Sequence, residues 1–178
     1  MAAAAGGDIT GATLAASITA GNTVEVLNTQ GSSGTAGNIN VNDTVSWSNT
    51  GVLKLTASGG VQGSGAITMT GAAGTGVIFN QAGNSTYSGN ITGASSTVTK
   101  QGVGTLTLSG AASTYGSAVI SGGTLKLGSA VALGTLTAGT VTLSAGATLD
   151  LNGQTIIPAK AKALTVSGNG VGNAGALI

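Results

Sequence analysis

Apolar and polar residues alternate strictly over short stretches along the whole chain. Val24-Glu25-Val26, Val45-Ser46-Trp47, Leu53-Lys54-Leu55, Ile67-Thr68-Met69 and Leu106-Thr107-Leu108 follow this pattern. So do Leu125-Lys126-Leu127, Val141-Thr142-Leu143, Leu149-Asp150-Leu151 and Leu164-Thr165-Val166. Successive side chains of a strand point to opposite faces, so this period of two predicts half-buried β-strands. Val77-Ile78-Phe79 is continuously apolar, which predicts a strand buried on both faces. Helical periodicity is weak throughout, because Gly interrupts nearly every window. Residues 10–16 (TGATLAA) are the only short helical candidate, with Gly11 inside it.

The predicted strands are short, and Gly, Asn or Ser flank most of them, residues that favour turns. A sandwich, a barrel or a stacked solenoid could follow. Two observations favour the solenoid. The phrases GTLTLSGA (104–111), GTLKLGSA (123–130) and GTVTLSAGATLDL (139–151) resemble one another, and Leu106, Leu125 and Val141 begin their matching apolar pairs. The spacing of those three is that of a single β-helical coil, and internal similarity at about 20 residues marks a repeat architecture. Asn-Gly pairs, the strongest hairpin signal, occur only at Asn152-Gly153 and Asn169-Gly170. The expected fold is therefore an all-β, right-handed parallel β-helix of about eight coils, a rod on the order of 40 Å long. Residues 1–20 are expected to form an irregular segment or first coil, and residues 21–178 the repeats. Both ends read as cuts in a longer protein: MAAAAGG lacks a basic region and an apolar core, and the chain stops on Ile178 without a polar tail.

Composition narrows the chemistry. Charged residues are only 5% of the chain, with five Lys, four acids, no Arg and no His. Cys is absent, so neither Ser-His-Asp nor Cys-His nucleophiles can form, nor can zinc, haem or iron–sulfur sites that need those ligands. A net charge of +1 gives no basic footprint for nucleic acid. No run approaches the roughly 20 apolar residues of a membrane-spanning helix. No cofactor, metal, nucleic-acid or membrane-inserting role is expected of the segment.

The remaining candidates are few. Asp8, Glu25, Asp43 and Asp150 are scattered, and solvated charges or turn caps fit them better than a stacked carboxylate pair or a calcium cage. Lys100 and Lys126 are expected to face outward and keep the rod soluble, against the alternative of contacting an anionic surface. Alternation from Val45 puts Trp47 on the apolar face rather than on a glycan platform. Tyr87 and Tyr115 are expected to pack at turns. Thr-x-Thr triplets begin at Thr68, Thr97, Thr105, Thr135 and Thr140. Their spacing is uneven, which predicts that they fall on different faces rather than forming one flat ice-ordering rank. Gly102-Val103-Gly104 lacks the Gly-Lys-Ser/Thr of a phosphate loop.

Residues 84–127 read NSTYSGNITGASSTVTKQGVGTLTLSGAASTYGSAVISGGTLKL. Tyr87-Ser88-Gly89, Lys100 to Gly110, Tyr115-Gly116 and Gly122 to Leu127 resemble, in order and spacing, the passenger-associated transport repeat of bacterial autotransporters. Residues 37–61 (GNINVNDTVSWSNTGVLKLTASGGV) are similar to filamentous-haemagglutinin-type exoproteins. Both resemblances imply a right-handed parallel β-helix outside the cell or on the bacterial outer-membrane surface. They imply a non-enzymatic stalk of an adhesin, with neighbouring coils, end-to-end self-association or a surface glycan as partners. Two other expectations stand beside this one: a self-assembling extracellular fibre subunit, and an ice- or glycan-binding solenoid.

Overall fold

The computed structural model describes residues 9–29, 36–156 and 162–178. In chain order the strands are β1 (Thr23–Asn28), β2 (Ile39–Asn40), β3 (Val45–Trp47), β4 (Val52–Ala57) and β5 (Val61–Gln62). Next come β6 (Ile67–Met69), β7 (Gly76–Gln81), β8 (Ser85–Tyr87), β9 (Ile91–Gln101) and β10 (Thr105–Leu108). The last five are β11 (Thr114–Ile120), β12 (Gly123–Leu127), β13 (Thr140–Leu143), β14 (Ala147–Asp150) and β15 (Ala163–Val166). Every strand pairing is parallel, and each joins a strand to its equivalent one coil later.

Three faces close each coil. The first stacks β1, β4, β7, β9, β11, β13 and β15. The second runs from β2–β5 across a Gly63–Tyr87 bridge to β8, β10, β12 and β14. The third pairs β3 with β6, then with the first residues of β9 and β11. β9 is 11 residues long because it turns a corner, serving the third face with Ile91 and Thr92 and the first with Thr97 to Gln101. The fold is a β-solenoid, as the alternation predicts, but with fewer coils than the eight expected: its first face stacks seven strands. Register explains the shortfall. Val24, Leu53, Val77, Val98, Ala118, Val141 and Leu164 lie in one column, one per coil. The steps between them are unequal, longest from Val24 to Leu53 and shortest from Val98 to Ala118. Corners consume more chain than an even, short period allows.

The core is the set of inward columns. Leu53, Leu55, Val77, Phe79, Ile120 and Leu143 of the first face meet Leu106, Leu125, Leu127 and Leu149 of the second, and all are buried. Ile78 corrects one expectation: it is only partly buried and points outward between buried Val77 and Phe79, so β7 alternates like the rest. The phrase 139–151 is corrected too. Leu125 pairs with Leu149, not Val141, which stacks over Ala118 on the first face. Two similar phrases therefore occupy different faces.

Among the described residues one α-helix, α1 (Gly11–Ser17), forms where only a weak candidate stood. The Thr10 side chain caps it by accepting from the Thr13 N–H, and Asp43 Oδ2 accepts from the Gly11 N–H at 3.0 Å. Gly11 lies directly against the Thr44 carbonyl, a place where a Cβ has no room. The helix packs on β3 and buries Leu14, and Ile18 just after it is 2% exposed. It therefore takes, beneath the third face, the place of a further strand.

Candidate functional site

The motif-bearing coil is built around a corner. Alternation from Val98 turns Lys100 inward, into the column Leu55–Phe79–Lys100–Ile120–Leu143. Lys100 is 1% exposed, which overturns the expectation of an outward, solubilising lysine. Its stem lies between Phe79 and Ile120 in register. Its ammonium Nζ donates to the carbonyls of Gln101 (2.6 Å), Gly102 (2.9 Å) and Gly122 (3.2 Å). Gly122 belongs to the next coil, so the lysine fastens two corners together. Burial pushes its pKa down to about 8, because the low-dielectric interior disfavours the charged form.

Around this clamp the corner demands glycine. Gly102 has a φ of +74°, a left-handed conformation that L side chains rarely adopt. A Cβ on Gly104 would press into the Gly83 carbonyl of the preceding coil, so Gly59, Gly83, Gly104 and Gly123 stack backbone on backbone. One coil earlier Gln81, 1% exposed, fills the corner. Its Nε2 donates to Gly83 O (2.9 Å), Ser85 Oγ (2.9 Å) and Thr105 O (3.1 Å), while Oε1 accepts from Val61 N–H at 3.2 Å. Sequence reasoning missed both Gln81 and the clamp. Counting by two from the neighbouring core residues would have found each.

Tyr87 and Tyr115 are fully buried. The Tyr87 hydroxyl donates to Gly65 O, and its ring sits 5.4 Å from that of Phe79. The Tyr115 hydroxyl donates to Ala132 O at 2.6 Å, spanning coils. Burial pushes both phenols well up from their usual range. Trp47 is 4% exposed, with Nε1–H donated to Gly51 O at 2.9 Å. Asparagine corners bind neighbouring coils: Asn38, Asn84 and Asn90 accept through Oδ1 from the N–H groups of Gly60, Thr105 and Ala112.

The charged surface residues pair across rungs. Lys126 does face outward, and its Nζ is 3.0 Å from Asp150 on the next rung. Lys54 lies 3.0 Å from Glu25 in the same way. A hydrogen bond from Thr56, followed by Lys54, holds the Glu25 carboxyl below the usual carboxylate range. Opposite signs on adjacent rungs avoid the repulsion that repeated like charges would create. Asp43 serves α1, and Asp8 lies outside the described residues. Among the described residues no three His, Cys, Asp or Glu side chains are grouped.

The Thr-x-Thr triplets divide as expected. Those at Thr97 and Thr140 share the first face, the one at Thr105 lies on the second, and the one at Thr68 begins on the third. Thr97-Thr99 and Thr140-Thr142 are separated by the rung of Ser117 and Val119, so no unbroken threonine rank forms.

What this site offers is adhesion of coil to coil. Its buried polar groups satisfy one another, and among the described residues none lacks a partner. No curated protein and no solved structure matches the chain. Residues 98–127, the stretch that holds Lys100, the corner glycines and Tyr115, match the family model of the passenger-associated-transport-repeat.

Proposed function

We propose that this chain is a non-enzymatic stalk segment of a bacterial autotransporter-type passenger, an adhesin displayed on the outer-membrane surface or secreted. The observation that carries this reading is the repeat match seated on the clamped corner. Function there is mechanical: each coil completes a ladder on the one before it, so stability accrues rung by rung. A chain emerging through an export pore would gain that stacking energy outside and so be opposed from sliding back. No described helix is long and apolar enough to cross a membrane.

Leu106 and Leu108 test the reading, because both are buried and both stack on Leu125 and Leu127. Leu106→Asp with Leu108→Asp, placed in the passenger of a secreting cell, should abolish most surface display while leaving synthesis intact. Labelling of intact cells with an antibody reads this out. Display equal to wild type refutes the export role.

A further inference from the structure

Three Asn-x-Ser/Thr triplets occur in the chain, starting at Asn42, Asn84 and Asn90. Such a triplet is the acceptor pattern for N-linked sugar: the asparagine amide takes the sugar, and the hydroxyl two residues on is read with it. The fold treats the three differently. Asn84 stands just before β8, and residues two apart in a strand lie on one face. Ser85 and Tyr87 turn inward, so Asn84 and Thr86 project outward side by side, and both are exposed. Asn84 Oδ1 accepts from the Thr105 N–H at 2.7 Å, which sets the planar amide with its oxygen against the ladder. Its Nδ2 end therefore points away from the ladder, and among the described residues neither Nδ2 nor the Thr86 hydroxyl has a protein partner. The corner residues beside it, Gly83 and Gly104 of the next coil, have no side chain to cover the amide. Neither other triplet is so placed. Asn90 is half-buried, and the Thr92 hydroxyl lies 3.3 Å from that of Thr68. At Asn42 the middle residue Asp43 accepts from the Gly11 N–H at 3.0 Å and the Thr44 carbonyl is pressed against Gly11, so α1 lies across the triplet.

We infer that Asn84 is an attachment site for an N-linked sugar, with Thr86 as its recognition hydroxyl. The Asn84 Nδ2 attacks the anomeric carbon of a sugar activated as its nucleoside diphosphate. A C–N bond forms, the C–O bond to the diphosphate breaks, the nucleoside diphosphate leaves, and the amide gives up one proton to the transferase. Transfer precedes folding, because β8 is paired on both sides once the coils stack and its backbone is then closed to an enzyme. The folded coil need only leave room for the product, and an outward Nδ2 beside two glycines does so. The outward neighbours Ala82, Thr86, Ser88 and Thr107 are uncharged, which suits a neutral hexose. A sugar here would hydrate a surface on which charge is scarce. This inference goes beyond the stalk reading and does not depend on export, since the sugar is added to the unfolded chain.

The 178-residue chain is co-expressed with a bacterial N-glycosyltransferase that uses a nucleotide-activated hexose, and the folded product is weighed intact and as peptides by mass spectrometry. One added hexose is expected, on the peptide that holds Asn84. Asn84→Gln and Thr86→Val should each remove it, and Asn90→Gln should leave it in place. Circular dichroism of the first two variants should equal that of wild type, because both side chains are exposed. The same chain, recovered from the surface of a secreting cell that carries the transferase, should bear the sugar on the same peptide. A folded chain without sugar, sugar retained in Thr86→Val, or sugar on Asn42 or Asn90 in place of Asn84 overturns the inference. Loss of display with Asn84 still modified refutes the stalk reading alone.

Discussion

Lys100 gives the sharpest test of how this solenoid is held together, through the variant Lys100→Met. Methionine keeps the apolar stem between Phe79 and Ile120 but removes the donor from the carbonyls of Gln101, Gly102 and Gly122. Two opposing effects set the magnitude. Folding lowers the pKa of this lysine from 10.5 to about 8, so burying the charge costs roughly 3 kcal/mol at neutral pH. Leaving buried carbonyls without their donor costs about 1–3 kcal/mol. The two nearly cancel, and Lys100→Met should unfold within about 2 kcal/mol of wild type at pH 7. The pH dependence separates them. Below pH 8 the folded and unfolded chains both carry the proton, and stability is flat. Between about 8 and 10.5 the unfolded chain holds a proton that the folded chain has released, so wild-type stability rises with pH. By pH 9.5 this gain is about 2 kcal/mol, and Lys100→Met should lack it. Lys162, also lowered to about 8 by burial, shifts in the same direction and leaves a smaller residual slope in the variant. Urea unfolding followed by circular dichroism from pH 7 to 9.5 measures this. The upper limit matters, because the buried phenols of Tyr87 and Tyr115 reverse the trend once unfolded tyrosines ionise at about pH 10. A Lys100→Met slope equal to that of wild type refutes the account.

Other substitutions probe the corners and the surface. Gly104→Ala forces a Cβ against the Gly83 carbonyl and should lower stability by about 3 kcal/mol in thermal melts. Gly146→Ala meets open space and only a left-handed φ of +80°, so about 1 kcal/mol is expected in the same melts. Tyr115→Phe strands the Ala132 carbonyl and should cost about 1–2 kcal/mol in urea unfolding. Lys126→Met breaks only a half-exposed ion pair with Asp150 and should change the melting temperature by no more than about 2 °C.

Much of this architecture is written in local sequence. Alternation at Leu106-Thr107-Leu108 and Leu125-Lys126-Leu127 dictates strands with one apolar face, because side chains on a pleated backbone point alternately to its two sides. Glycine and asparagine between those strands dictate corners, and near-copies of one phrase dictate stacking. The short strand Ser85–Tyr87 and the hydroxyl-rich half of Ile91–Gln101 carry no such signal; their conformation comes from rungs above and below them. Only the tertiary structure decides which strands share a face. Coils of unequal length keep no fixed period, so similar phrases such as 123–130 and 139–151 part company, and the register depends on how much chain each corner absorbs. The same holds for Lys100. Its residue type points to water, while its place in the alternation points to the core. The core placement prevails because three carbonyls of two stacked corners converge where its ammonium ends.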